Sequence, residues 1–185
     1  MEKLWISANE LLDDAFRLAQ AIVASGFRPD YIVAVWRGGT PIGIAVQEYL
    51  KFRGIVSDHI AIRTSSYTGV GTCQAGVHVH GLAYLVEHIN AADNLLIVDD
   101  VFDSGRSLDA ILRELQAKCR RNMPLQTRLA TVYYKPGKRQ TVRGPDYFVH
   151  QTERWLVFPH ELDGLSLDEI RLHKSPVLAA LLAES

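Results

Sequence analysis

Leu95-Leu96-Ile97-Val98-Asp99-Asp100-Val101-Phe102-Asp103-Ser104-Gly105-Arg106-Ser107-Leu108 decides how this chain folds. Four apolar residues predict a buried strand, and two acids stand where it ends. A short turn, Asp103 to Ser107, then leads into a helical pattern with apolar residues at Leu108, Ile111, Leu112, Leu115 and Cys119. Such a strand, acid pair, small-residue loop and helix suit a phosphorylated sugar. Backbone N–H groups at the helix start face outward, and the positive end of the helix dipole favours a phosphate. The carboxylates can accept hydrogen bonds from sugar hydroxyls or meet a hydrated Mg²⁺. Paired acids also end strands in other doubly wound proteins, so the segment alone leaves that alternative open.

Composition narrows the field. A chain of 185 residues with 22% charged and 48% hydrophobic residues can bury a full core in one domain. Its net charge of −1 argues against nucleic-acid binding as the main task, because tracking phosphates needs a basic surface. No apolar run approaches the roughly 20 residues of a membrane span, and Met1-Glu2-Lys3-Leu4-Trp5 does not read as a secretory signal. A cytoplasmic protein is expected, with Cys73 and Cys119 as reduced thiols.

Around the central segment, Ser7-Ala8-Asn9-Glu10 forms a capping box ahead of a stripe at Leu11, Leu12, Ala15, Phe16, Ala19, Ile22 and Val23, with Gly26 as a stop. Residues 30–35 predict a strand. A Trp36-Arg37-Gly38-Gly39-Thr40 loop follows, with Pro41 in the first turn of a helix reaching about Arg53. Residues 59–63 predict another strand. The glycine-rich, charge-free run from Thr64 to Gly81 reads as a mobile loop. A helix over 82–89, strands over 128–134, 147–150 and 155–158, and a last helix over 176–183 complete the pattern. Strands alternating with helices predict an α/β fold with a mostly parallel central sheet covered on both faces.

The Asp99–Ser107 segment resembles the phosphoribosyl-pyrophosphate motif of type I phosphoribosyltransferases, and every position of that motif is filled. Other segments resemble the 6-oxopurine branch, with the bacterial xanthine-guanine enzymes nearest. Arg37-Gly38-Gly39 is similar to that branch's pyrophosphate loop, which often carries a non-proline cis peptide; one is expected before Arg37. Ser66-Tyr67 resembles the start of its flexible catalytic loop, although here the segment is longer and poorer in charge. Lys135 fits the lysine that donates to the purine's exocyclic oxygen. Trp155 fits the tryptophan that stacks on the base, with the backbone at Leu156 against the 2-position. Glu161 sits where the branch has an acid that helps bind Mg²⁺. Val157 replaces an acid found in some xanthine-guanine enzymes, so the preferred 2-substituent does not carry over.

The resemblance implies one domain over 1–185, with a core at about 28–135 and a hood at about 136–165 plus the terminal segments. It implies Mg²⁺-dependent transfer of phosphoribosyl from phosphoribosyl pyrophosphate to a 6-oxopurine by an expected homo-oligomer, with neither nucleic acid nor membrane as partner. Ser104, Gly105, Arg106 and Ser107 with Asp103 would cradle the 5′-phosphate, and Asp99 and Asp100 the ribose and metal, with Glu161. Arg37, Gly38 and Gly39 would take the pyrophosphate. Asp103 would accept the proton from N7, with Arg37, Ser66 and Tyr67 also catalytic. Two alternatives remain on the same residues. One is a non-catalytic sensor of phosphoribosyl pyrophosphate on this fold; the other is a transferase for a different base. His78, His80 and His88 lack the spacing of a metal site.

Overall fold

The computed structural model describes residues 2–67 and 76–183, with Ser66, Tyr67 and Gly76 described by their backbone alone. The chain divides into two compact units. The larger spans Asp14–Glu153, and the smaller joins Met1–Asp13 to Arg154–Ser185.

The larger unit is built on a six-stranded sheet. Its strands are β2 (Tyr31–Trp36), β3 (Asp58–Tyr67), β4 (Gly76–His80), β5 (Asn94–Phe102), β6 (Gln126–Tyr134) and β7 (Tyr147–Gln151), in the order β4-β3-β2-β5-β6-β7. Every neighbouring pair is parallel except β3 with β4. The chain therefore winds one way from β2 to β3 and the other way from β5 to β6 and β7. The switch falls between β2 and β5, at whose carboxyl ends an open α/β sheet offers a crevice.

Alternation decides which helix each strand residue meets. Val33, Val35, Leu95, Ile97 and Leu129 share one buried cluster with Leu82, Leu85 and Ile89 around α3 (Ala83–His88), and with Leu108, Ile111, Leu115 and Cys119 of α4 (Arg106–Cys119). Ile32, Ala34, Leu96 and Val98 face the opposite way and are equally buried. There α2 (Gly39–Phe52) comes so close that a Cβ on Gly43 would lie 2.7 Å from that of Ala34. Strands buried on both faces read as continuous apolar runs, which is why β2 and β5 were legible.

The run from Thr64 to Gly81 is not a loop throughout. Thr64–Tyr67 extend β3, and Gly76–His80 return antiparallel to it in the register Arg63↔His80, Thr64↔Val79 and Ser65↔His78. The pairing supplies backbone partners that the small polar side chains do not advertise. Val79 packs on the core cluster, while His78 and His80 project to the other side. The remainder of the expected mobile loop, Cys73 included, lies outside the described residues.

In the smaller unit, β1 (Lys3–Trp5) pairs in parallel with β8 (Trp155–Val157). The last helices are α5 (Leu167–His173) and α6 (Pro176–Ala183). Neither β1 nor α5 was expected from the sequence, although Ser166 and Glu169 form a reciprocal capping box at the start of α5. At the chain's first helix, α1 (Ala8–Ala24), the expected box is present: the Ser7 N–H donates to Glu10 Oε2 at 2.8 Å, and the Glu10 N–H to Ser7 Oγ at 3.2 Å. Among the described residues no helix is long and apolar enough to cross a membrane.

Asp146 staples β7 to the sheet. Its carboxylate accepts the Leu129 N–H at 2.8 Å, Arg128 at 2.9 Å and Arg143 at 2.7 Å, while its own N–H donates to Leu129 O at 2.8 Å. Burial pushes this carboxyl's pKa up. The Leu129 N–H and the two guanidinium groups outweigh burial and hold it below its ordinary value. The stabilisation is therefore present above the ordinary carboxylate range and lost as pH falls through the lowered value. Asp146→Asn should cost about 1.5–3 kcal/mol at neutral pH. Denaturant unfolding at pH 7 and below about pH 4 should show the gap between wild type and variant closing in acid.

Candidate active site

The loops after β2 and β5 meet at the switch point, and glycines make the meeting possible. A Cβ on Gly38 would fall 1.7 Å from Asp100 Oδ2. One on Gly39 would fall 2.5 Å from Val98 O and 2.9 Å from Asp99 Cα. No side chain fits at either position, so the Arg37-Gly38-Gly39 turn lies directly on the acid pair. The Trp36–Arg37 peptide is cis, as expected. The Arg37 carbonyl accepts the N–H of Thr40 at 3.2 Å and its hydroxyl at 2.9 Å, and the Arg37 side chain is exposed.

Asp99 and Asp100 turn inward beside this loop. The Asp100 N–H donates to Asp99 Oδ1 at 2.9 Å, and the Val101 N–H to Asp100 Oδ1 at 2.7 Å. Burial pushes the Asp99 carboxyl well above its ordinary range, and the neighbouring charge of Asp100 adds to the shift. A divalent cation would reverse that penalty. Mg²⁺ takes hard oxygen ligands, commonly one or two carboxylates completed by phosphate oxygens and water. The adjacent carboxylates fit that pattern. Among the described residues no three His, Cys, Asp or Glu side chains gather as a metal site. Glu161 belongs to the smaller unit, where its carboxylate accepts the Phe158 N–H at 3.1 Å.

From Asp99 to Leu108 the chain wraps a cavity of about 220 Å³. Gly105, at φ +81°, caps α4, and a Cβ there would meet Phe102 Cζ at 2.4 Å and Thr141 Oγ1 at 2.5 Å. The Arg106 N–H reaches Ser104 Oγ at 3.4 Å, and Ser107 stands in the helix's first turn.

At the end of β6, the Lys135 N–H donates to Phe102 O at 2.9 Å, tying the two strand ends together. The Lys135 side chain is only 7% exposed, and its Nζ lies 3.2 Å from Asp103 Oδ2. A buried ammonium needs such a partner. Lys138, not anticipated from the sequence, also approaches Asp103 Oδ2, at 3.6 Å. Its signal was the Pro136-Gly137 turn, which folds the chain back after Lys135.

Ser66 and Tyr67 end β3, with backbone pairing to Val77 and Gly76. Trp155 is 53% exposed on β8, whereas the Leu156 side chain is buried, so only its backbone could meet a ligand.

Residues 7–169 match the model of the phosphoribosyl transferase domain. The chain belongs to that family. No curated protein matches it at a significant level. Among solved structures, a purine phosphoribosyltransferase from Pyrococcus horikoshii is similar at a TM-score of 0.67 and 24% identity, over 90% of this chain and 98% of that one. A hypothetical protein from Neisseria gonorrhoeae with bound ppGpp has a TM-score of 0.74 and 21% identity, over 93% and 95%. The Helicobacter pylori xanthine-guanine-hypoxanthine phosphoribosyltransferase has a TM-score of 0.66 and 20% identity, over 93% and 100%. These likenesses show that the fold is that of the phosphoribosyltransferases.

Gly105 offers a direct check on the loop. Gly105→Ala would force a side chain into the left-handed region and into Phe102 and Thr141. The expected loss is about 2–5 kcal/mol, read by denaturant unfolding.

Proposed function

We propose that the protein transfers the phosphoribosyl group of phosphoribosyl pyrophosphate to N9 of a 6-oxopurine, releasing pyrophosphate and a nucleoside monophosphate. The observation that carries this reading is the Asp103–Lys135 pair beyond the ends of adjacent strands, with Asp103 opening the phosphate-type loop and two residues separating it from the acid pair. One carboxylate and one ammonium match the two demands of a 6-oxopurine: a proton to be taken from N7, and an exocyclic oxygen to be given a hydrogen bond. The solved purine and xanthine-guanine-hypoxanthine enzymes of the same fold support the choice of base.

In this reading the Asp103–Ser107 loop and the first turn of α4 hold the 5′-phosphate. Their N–H groups and the helix dipole would receive its charge. Asp99 and Asp100 hold the ribose hydroxyls, and the same carboxylates would hold a Mg²⁺ ion. When bound, Mg²⁺ supplies charge neutralisation to the departing pyrophosphate. Arg37 donates to the same leaving group from the Gly38-Gly39 turn, where charge grows in the transition state. Lys135 orients the base and Asp103 takes the N7 proton as N9 attacks the sugar carbon. Trp155 supplies a flat apolar face for the base. Ser66 and Tyr67 are read as the start of the segment that excludes water from the reacting centre.

A panel of hypoxanthine, guanine, xanthine, adenine, orotate and uracil, with pyrophosphate release as readout, tests the reaction. Turnover restricted to 6-oxopurines is expected; turnover only with a pyrimidine would replace the base assignment. A protein that binds phosphoribosyl pyrophosphate yet turns over none of the six would be the non-catalytic sensor.

Single substitutions divide the site. Asp100→Asn should weaken phosphoribosyl pyrophosphate binding tenfold or more, since a charged hydrogen-bond partner is worth roughly 1.5–3 kcal/mol. Lys135→Ala and Trp155→Ala should spare that affinity and lower efficiency toward the purine, with stacking worth about 1–3 kcal/mol. Asp103→Asn should lower turnover by roughly 10²–10⁴-fold. Calorimetry with the sugar substrate and steady-state kinetics with the purine keep the three effects apart.

A further inference from the structure

We propose that Lys138 is a positioning residue for Asp103, holding its carboxylate in place when Lys135 turns to the base. The inference rests on the transfer reaction read above and adds a residue to it. Lys135 and Lys138 both approach Asp103 Oδ2, at 3.2 and 3.6 Å. The two ammonium groups differ in setting: Lys135 is 7% exposed, whereas Lys138 is 41% exposed. A base accepting a hydrogen bond from Lys135 draws that buried ammonium away from Asp103. The carboxylate, itself 43% exposed, would then turn toward water and away from N7. Lys138 keeps a second cation on it through the exchange.

The backbone around Lys138 is pinned on both sides, which separates this contact from a chance surface pair. Before it, the Gly137 N–H donates to Glu153 Oε1 at 2.7 Å, and a Cβ on Gly137 would crowd that oxygen at 2.9 Å. The Lys138 N–H donates to Lys135 O at 3.1 Å, closing the turn. Beyond it, the Gln140 N–H donates to Ser104 O at 2.9 Å, on the phosphate-type loop itself. Lys138 thus springs from a short bridge anchored to the loop that carries Asp103. The fixed bridge keeps the root of the lysine beside Asp103, so that its ammonium stays within reach of a carboxylate whose position general-base catalysis depends on.

The test compares Lys138→Met, Lys138→Gln and Lys138→Arg in the whole protein, on whichever base the wild type turns over. Met and Gln should each lower kcat roughly tenfold, with KM for phosphoribosyl pyrophosphate and the thermal midpoint unchanged. Arg, which keeps the charge, should restore most of kcat. A merely structural lysine would move the thermal midpoint or both kinetic constants together. Wild-type kcat in Lys138→Met, or equal rescue by Gln and Arg, overturns the proposal and leaves the purine reading standing. Transfer only to a pyrimidine, which has no N7 for Asp103 to serve, overturns the purine reading and this proposal with it. A wild type that turns over no base overturns both.

Discussion

The contact on which the site depends is one where nothing bulky is present. Gly38 and Gly39 bring the turn after β2 against Asp99 and Asp100 at a separation that excludes even a methyl group. Were either residue alanine, the acid pair or the turn would have to move, and the crevice at the strand switch would open. Everything proposed for the leaving group and the ribose requires these two loops to share one small space. The sheet order makes them neighbours, and the glycines make them touch.

A second constraint runs along the β5–β6 edge. The Lys135 N–H bonded to Phe102 O continues the strand pairing past the strands, delivering a buried ammonium beside Asp103. Gln140 N–H to Ser104 O then stitches the following turn to the loop below it. The groups assigned to base and phosphate are thereby set on a single rigid corner, so a shift in one is felt by the other. Such coupling suits a reaction in which two substrates must be aligned at once.

How much of this was legible in the sequence follows from what each element buries. β2 and β5 lie inside the sheet and announce themselves as apolar runs, and the acids and glycines at their ends follow by position. Thr64–Tyr67 of β3 and all of β4 were read as loop because most of their residues are small and polar, and because they are held by pairing with each other rather than by a buried apolar run. Only the alternation of Val77 and Val79 with His78 and His80 hinted at that pairing. β1 is three residues long and forms by meeting β8, more than a hundred residues away. Lys138 was missed for a similar reason: it matters through the return of a turn onto Asp103, which no local pattern of lysines records.

The pairing of β1 with β8 also bears on the order in which the molecule is assembled. Lys3 lies opposite Trp155, so this ladder closes a span of the chain that contains the whole six-stranded sheet. Closing so long a span is entropically costly, and contacts of low sequence separation form sooner. On the ribosome the first strand waits without its partner until Trp155–Val157 have emerged. The sheet and its phosphate-type loop can be complete before then, while Trp155 gains its paired strand afterwards. A nascent chain therefore acquires the elements read as sugar recognition before the one read as base stacking.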